Sequence, residues 1–251
     1  MATVSRAYIR QFAERHTALT DSMRERMERV LAGVDTSDRV AIYARVFALL
    51  QPYTDMASAL AAQFYNGIRR ASGLPDDYEA TAVNSLNADF VWTDVNSVLD
   101  EVDDGRNTVP RDKLISDVAG GYMKDASDNS VRANARRDPS RPRYAMVPNS
   151  DACAFCVMRA SLGYHYPEKQ RVKSHHSCTC VPVPVFGDAK VEGYDPQAYL
   201  DQYEEAARAL RSGNLPKELE ERLEREKSEK GSEFDRTKQI LMVMRYQQGI
   251  S

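Results

Sequence analysis

All four cysteines of the chain, and three of its four histidines, fall between Cys153 and Cys180. They are arranged as Cys153-Ala-Phe-Cys156, an intervening stretch, and then His175-His176-Ser-Cys178-Thr-Cys180. Two thiolates separated by two residues point the same way across a tight turn and can grip one metal ion. The His-x-x-Cys-x-Cys group offers the remaining ligands. Cysteine and histidine at this spacing suit tetrahedral zinc, with zinc–sulfur distances of about 2.3 Å. Cys153, Cys156, His175, Cys178 and Cys180 are five candidates for four positions. Such a surplus leaves no coordination position open for water, so the expected role is structural rather than catalytic. His175 stands three residues before Cys178 and reads as the imidazole ligand. Whether Cys178 or Cys180 joins it stays open. His176 reads as a loop or outer residue, and His165 lies mid-loop between two tyrosines.

Other uses of four cysteines are weaker. Two disulfides would leave a cramped ring if Cys178 paired with Cys180. The opening Met1-Ala-Thr-Val-Ser-Arg runs into a charged helix without a signal peptide, so a reducing compartment is expected. Buried free thiols would scatter along the chain. A redox Cys-x-x-Cys would open a helix in a thioredoxin-like βαβ pattern, which the sequence lacks.

The elements around this stretch are mostly helical. Tyr8, Phe12, Leu19, Met23, Met27 and Val30–Leu31 recur at helical spacing, which predicts a helix over 3–31 ended by Gly33. A second helix is predicted from Ser37 or Asp38 to a stop at Pro52, and a third over 55–71. Residues 76–99 read as helical with a break near Thr93. Pro110 opens a further helix, in which Gly120–Gly121 marks a close helix contact. Arg132, Arg136, Arg137, Arg141 and Arg143 form a basic cluster that reads as a solvated linker or as a phosphate contact. After Cys180, Val181, Val183 and Val185 alternate with Pro182 and Pro184, as in an edge strand. Residues 215–230 are charged nearly all round, and only Leu219 and Leu223 could pack. The apolar run Ile240–Met244 beyond them reads as an interaction element that awaits a partner.

The expected fold is therefore mainly α, in three parts. Residues 1–137 form an N-terminal helical domain, 138–190 a small α+β zinc knuckle, and 191–251 an extended C-terminal helical arm and tail. With 251 residues, 42% hydrophobic and 28% charged, the chain has enough material for one large domain or two small ones. A net charge of −3 gives no global affinity for nucleic acid. No apolar run approaches the roughly 20 residues of a membrane span.

The run from Val147 to Phe186, with Cys153-x-x-Cys156, Gly163, His175-x-x-Cys178-x-Cys180 and a hydrophobic strand, resembles the MuF-like minor head proteins of tailed bacteriophages. The resemblance covers about a sixth of the chain, counted from those residue numbers. It implies a low-copy, non-enzymatic capsid component inside the virion near the portal, made in the bacterial host cytoplasm, active in head assembly and sometimes ejected with the DNA. The implied partners are the portal protein and the major capsid or scaffold protein, with non-specific contact to packaged DNA. No membrane and no small-molecule substrate are expected. Two rival readings compete. A His-Asn-His-type nuclease lacks a histidine downstream of His176, and Asn214 lies too far along. A zinc-stapled DNA-binding module rests on the arginine cluster alone. Neither Gly-x-Ser-x-Gly nor His-Glu-x-x-His occurs, so no hydrolytic activity is expected.

Overall fold

The computed structural model describes residues 3–149, 152–166 and 180–249. Among them are eight α-helices and four short strands, so the protein is mainly helical. Three long helices, α1 (Arg6–Leu31), α2 (Arg39–Ala71) and α4 (Arg111–Arg137), pack on one another, with α3 (Ala88–Asp103) against α2 and α4. The Asp38 carboxylate caps α2 by accepting from Ala41 N at 2.9 Å, and Asn87 caps α3 through Phe90 N at 3.0 Å.

Contrary to expectation, Pro52 does not stop a helix. It sits inside α2, which continues to Ala71. A proline deprives the carbonyl four residues earlier of its donor. The buried stripe Ile42, Val46, Leu50, Tyr53, Ala57, Ala61 runs unbroken through it, however. Packing on α1 and α4 therefore outweighs the lost bond. Thr54 Oγ1 also donates to Gln51 O at 2.9 Å within the same turn.

A second departure lies at 76–87, which is not helical; α3 begins only at Ala88 and shows no break at Thr93. The segment is a strap whose backbone is satisfied by side chains. Ala80 N donates to Asn66 Oδ1 at 2.8 Å, and Thr81 N to Asn134 Oδ1 at 3.1 Å. Asn134 Nδ2 returns a bond to Thr81 O at 2.8 Å, and Val83 N reaches Ser130 Oγ at 3.3 Å. These partners explain why α4 buries polar residues that no apolar stripe would place inside. The expected close contact at the double glycine is seen at Gly120, where an added Cβ would lie 2.6 Å from the Arg24 guanidinium of α1.

After α4 come β2 (Arg143–Val147), α5 (Ala154–Ser161), β3 (Val181–Val185) and β4 (Lys190–Val191), the last paired in parallel with β1 (Thr3–Val4). Strands β2 and β3 are antiparallel, with Tyr144 opposite Pro184 and Met146 opposite Pro182. Tyr144 turns its backbone away from β3, exchanging bonds of 2.8 and 3.0 Å with His165. The prolines, which cannot donate, thus stand opposite residues that ask nothing of them, on an edge strand as their sequence predicts. One face of this sheet, Ala145, Val147, Val181, Val183 and Val185, enters a core shared with α1, α2 and α4. Residues of 1–137 and 138–190 are thus buried in one cluster.

The C-terminal part comprises α6 (Pro196–Ser212), α7 (Lys217–Lys230), a 3-10 turn and α8 (Arg236–Gln247). Here the expectation of an extended arm with a tail awaiting a partner is corrected. Ile240 to Met244 are all buried, packed with Ala154 and Val157 of α5, Ala206 and Ala207 of α6, and Leu219 and Leu223 of α7. Five consecutive apolar residues spread around a helix axis, so they need cover on several sides. Neighbouring helices of the same chain provide it. Only Leu219 and Leu223 of α7 are buried, and its charged remainder faces solvent as predicted. Among the described residues no helix is long and apolar enough to cross a membrane.

Candidate metal centre

The second face of the β2–β3 sheet meets the cysteines. Cys153 precedes α5 in an extended conformation and Cys156 occupies its first turn, so the helix start holds both sulfurs on one side. Their Sγ atoms are 3.6 Å apart. Cys180 lies one residue before β3. Its sulfur lies against that of Cys156, with Cα atoms 6.3 Å apart. Cys156 and Cys180 are buried together with Tyr144 and Met146, and Cys153 packs at the margin, partly exposed. Three of the five predicted ligands therefore converge from two elements that each have their own anchorage. His175 and Cys178, and also His176, lie outside the described residues. Among the described residues no group of three or more histidine, cysteine or acidic side chains is placed to hold a metal ion. The proximity of Cys156 and Cys180 was not singled out from sequence, where the cramped Cys178–Cys180 ring and an expected reducing compartment argued against disulfides.

His165, given no role by sequence, belongs to this region. Its ring lies 4.2 Å, centroid to centroid, from that of Tyr144, and its Nδ1 is 3.0 Å from Gly163 O. The Tyr144 hydroxyl is buried, with no hydrogen-bond partner among the described residues. The basic cluster divides. Arg132 is buried and Arg136 and Arg137 are exposed, while Arg143 donates to Gly187 O at 2.8 Å and lies over the Tyr164 ring. Arg141 takes a left-handed backbone, φ 48°, in the turn between α4 and β2.

Two further polar groups flank the centre. On one side a small cavity is lined by His16, Lys124, Asp128 and Cys180 among others. Burial, helped by the Lys124 charge, lowers the His16 imidazole to about 4, so it is neutral near pH 7. Its Nε2 lies 3.2 Å from Met123 O, and Lys124 is ion-paired with Asp128. At the far end of α4, Asp138 accepts from Arg69 Nε at 3.0 Å, Tyr65 Oη at 2.9 Å and Ser140 Oγ at 2.6 Å. Burial works to raise the Asp138 carboxyl, but the bonds from Ser140, Tyr65 and Arg69 outweigh it and hold it below the usual carboxylate range. This joint fixes α2 to the point where α4 hands over to β2.

The family model described as VG15 protein matches residues 3–206. The chain belongs to the VG15 protein family. The match spans the three-helix core, the β2–β3 sheet, the cysteines and most of α6. Membership in a family of viral gene 15 proteins places the chain among phage and viral proteins. No curated protein and no solved structure matches it.

Proposed function

We propose that this VG15 protein is a minor capsid component of the MuF-like kind, located in the virion beside the portal and acting in head assembly without catalysis. The observation that carries the reading is the convergence of Cys153, Cys156 and Cys180 where α5 meets β3. It lies within a segment of MuF-like pattern and inside a mainly helical viral protein. In the reduced chain these thiolates, with His175 or Cys178, would hold a structural zinc ion. The donor set fits. Ligands of a tetrahedral zinc–thiolate site stand about 3.8 Å apart, given zinc–sulfur bonds of about 2.3 Å. Cys153 and Cys156 are at 3.6 Å. Bound there, zinc would supply a crosslink between α5 and β3, two elements too short to be stable alone.

The proposed partners are the portal and the capsid or scaffold protein, and the exposed Arg137 and Arg141 would offer charge to packaged DNA. Quantitative mass spectrometry of purified particles, together with metal analysis of the protein purified under reducing conditions, tests the proposal. The expected result is a few copies per particle and one zinc per chain. Absence from the particles would remove the capsid role, and a metal-free reduced protein would remove the zinc.

A further inference from the structure

Helices α1 and α2 run antiparallel. The Tyr8 ring stacks on that of Phe64, Ser22 Oγ lies 3.2 Å from Tyr53 Oη, and Arg45 donates to Val30 O at 2.9 Å. Between the first turns of α1 and the last turns of α2 lies an open cleft of about 320 Å³. Its floor is a ladder of rings, Tyr8 on Phe64 at 5.5 Å between centroids and Phe64 on Phe12 at 4.2 Å. Gly67 makes room for the ladder, since a Cβ there would collide with the Tyr8 hydroxyl. Phe12 and Phe64 are buried, and Tyr8 is the open rung. Arg15 and Arg70 also line the cleft, and both are exposed without a hydrogen bond or ion pair from their side chains. The antiparallel register sets Arg15 level with Leu60, ten residues before Arg70 on α2 by their numbers. At 1.5 Å per residue the two cations stand about 15 Å apart along the cleft. No carboxylate among the described residues lines it, so neither charge is answered there.

Helix α3 carries the converse surface. It holds Asp89, Asp94, Asp100, Glu101 and Asp103 and no lysine or arginine. Val91, Val95, Val98 and Leu99 face the core, which leaves Asp89, Phe90, Thr93, Ser97 and Asp100 exposed on the outer side. Phe90 is 52% exposed, and the Asp89 carboxylate beside it has no ion pair. Asp100 is engaged by Arg39 at 2.7 Å, yet its side chain stays 58% exposed. From Asp89 to Asp100 is eleven residues by their numbers, or about 17 Å, close to the separation of the two arginines. Helix α3 packs on the early part of α2, with Trp92 edge-on to Tyr43, whereas the cleft lies at the late part. A single chain therefore cannot bring the two surfaces together. We infer that the cleft receives α3 of a second copy of this chain. Phe90 enters over Tyr8, and Asp89 and Asp100 meet the two unanswered arginines. The contact joins two different surfaces, so each copy takes one neighbour in its cleft and offers α3 to another. Such heterologous contacts build rings or filaments rather than closed pairs. The inference goes beyond the capsid reading and does not depend on it.

The test is sedimentation velocity of the full chain under reducing conditions, over a range of concentrations and at low and high salt. One variant spoils the cleft, Arg15→Glu with Arg70→Glu, and a second spoils the helix, Asp89→Lys with Phe90→Ser. All four positions are exposed, so thermal melting followed by circular dichroism should stay near that of the wild type. The wild-type chain should associate as concentration rises, and less so as salt screens the charges. In each variant association should weaken on the order of tenfold or more. An equimolar mixture of the two should form dimers of one chain of each and nothing larger, because each still carries one intact surface. A wild-type chain that stays monomeric throughout overturns the inference, and so does association that salt leaves unchanged. A variant that associates like the wild type overturns it as well, since other residues then hold the copies together. Two monomeric variants whose mixture is also monomeric show that the surfaces do not meet, and leave the cleft to a partner of another kind. If a double variant does not fold, Arg70→Gln and Phe90→Ser as single substitutions carry the same comparison through smaller shifts.

Discussion

Helices α4 and α8 are both enclosed by the rest of the chain, but with opposite materials. Helix α8 is covered by apolar contact, Ile240 to Met244 meeting α5, α6 and α7. Helix α4 buries Lys124, Asp128, Ser130 and Asn134 beside its apolar residues, and each of these answers a specific polar partner. Apolar burial is forgiving, because neighbours can shift to refill a gap. Polar burial is not, since a group that loses its partner keeps the full cost of having left water. The two helices should therefore respond differently to substitutions of similar size.

The largest effect is expected at the joint where α4 ends. Asp138→Ala leaves Arg69 Nε and the Tyr65 hydroxyl without their acceptor, although Arg69 keeps its ion pair with Asp77, and should destabilise by about 3 kcal/mol, the low end for removal of one partner of a buried pair. Urea or thermal unfolding measures it. A loss no greater than that of an exposed ion pair would break the contrast. The same carboxylate sets a pH dependence. Its folded-state pKa lies below the ordinary value, so its stabilisation is complete above the ordinary carboxylate range and is lost as pH falls through the native pKa. Unfolding midpoints should fall on acidification, and Asp138→Asn should flatten that slope.

An intermediate effect is expected for Asn134→Ala, which leaves Thr81 N–H and Thr81 C=O without their side-chain partner. A cost of about 2 kcal/mol follows from the usual penalty for unsatisfied buried groups. The smallest belongs to α8, where Ile240→Val removes one methylene from a packed cluster and should cost about 1 kcal/mol. If Ile240→Val proved costlier than Asn134→Ala, the apolar cover of α8 would be the more exacting of the two.

Much of this was legible in the sequence, and the failures share a cause. Helix α1, the Gly33 stop, the edge-strand prolines and the solvated face of α7 each follow from a pattern within one element. Pro52, the strap and α8 were misread because their fate depends on a neighbour distant in sequence. A proline is tolerated when the stripe on both sides is already claimed by α1 and α4. Residues 76–87 lack a helix because Asn66, Ser130 and Asn134 offer their backbone another set of bonds. The run Ile240–Met244 looked like a surface because α5, which covers part of it, lies far upstream. At the candidate centre, clustering of the cysteines was plain, and so was their fitness for a metal. That Cys156 faces Cys180, and that His165 lies beside Tyr144, depends on how β2 is registered, which no spacing rule reveals.

The strap over 76–87 also has a consequence for how the chain assembles. Its amides at Ala80, Thr81 and Val83 find their acceptors on two helices, Asn66 on α2 and Ser130 and Asn134 on α4. Neither helix alone can hold it, so it closes only after both have docked, as a latch closes only on a shut door. Hydrogen exchange at those three amides would therefore report the docking of α2 on α4. They should become protected together and late during refolding, after the amides inside either helix.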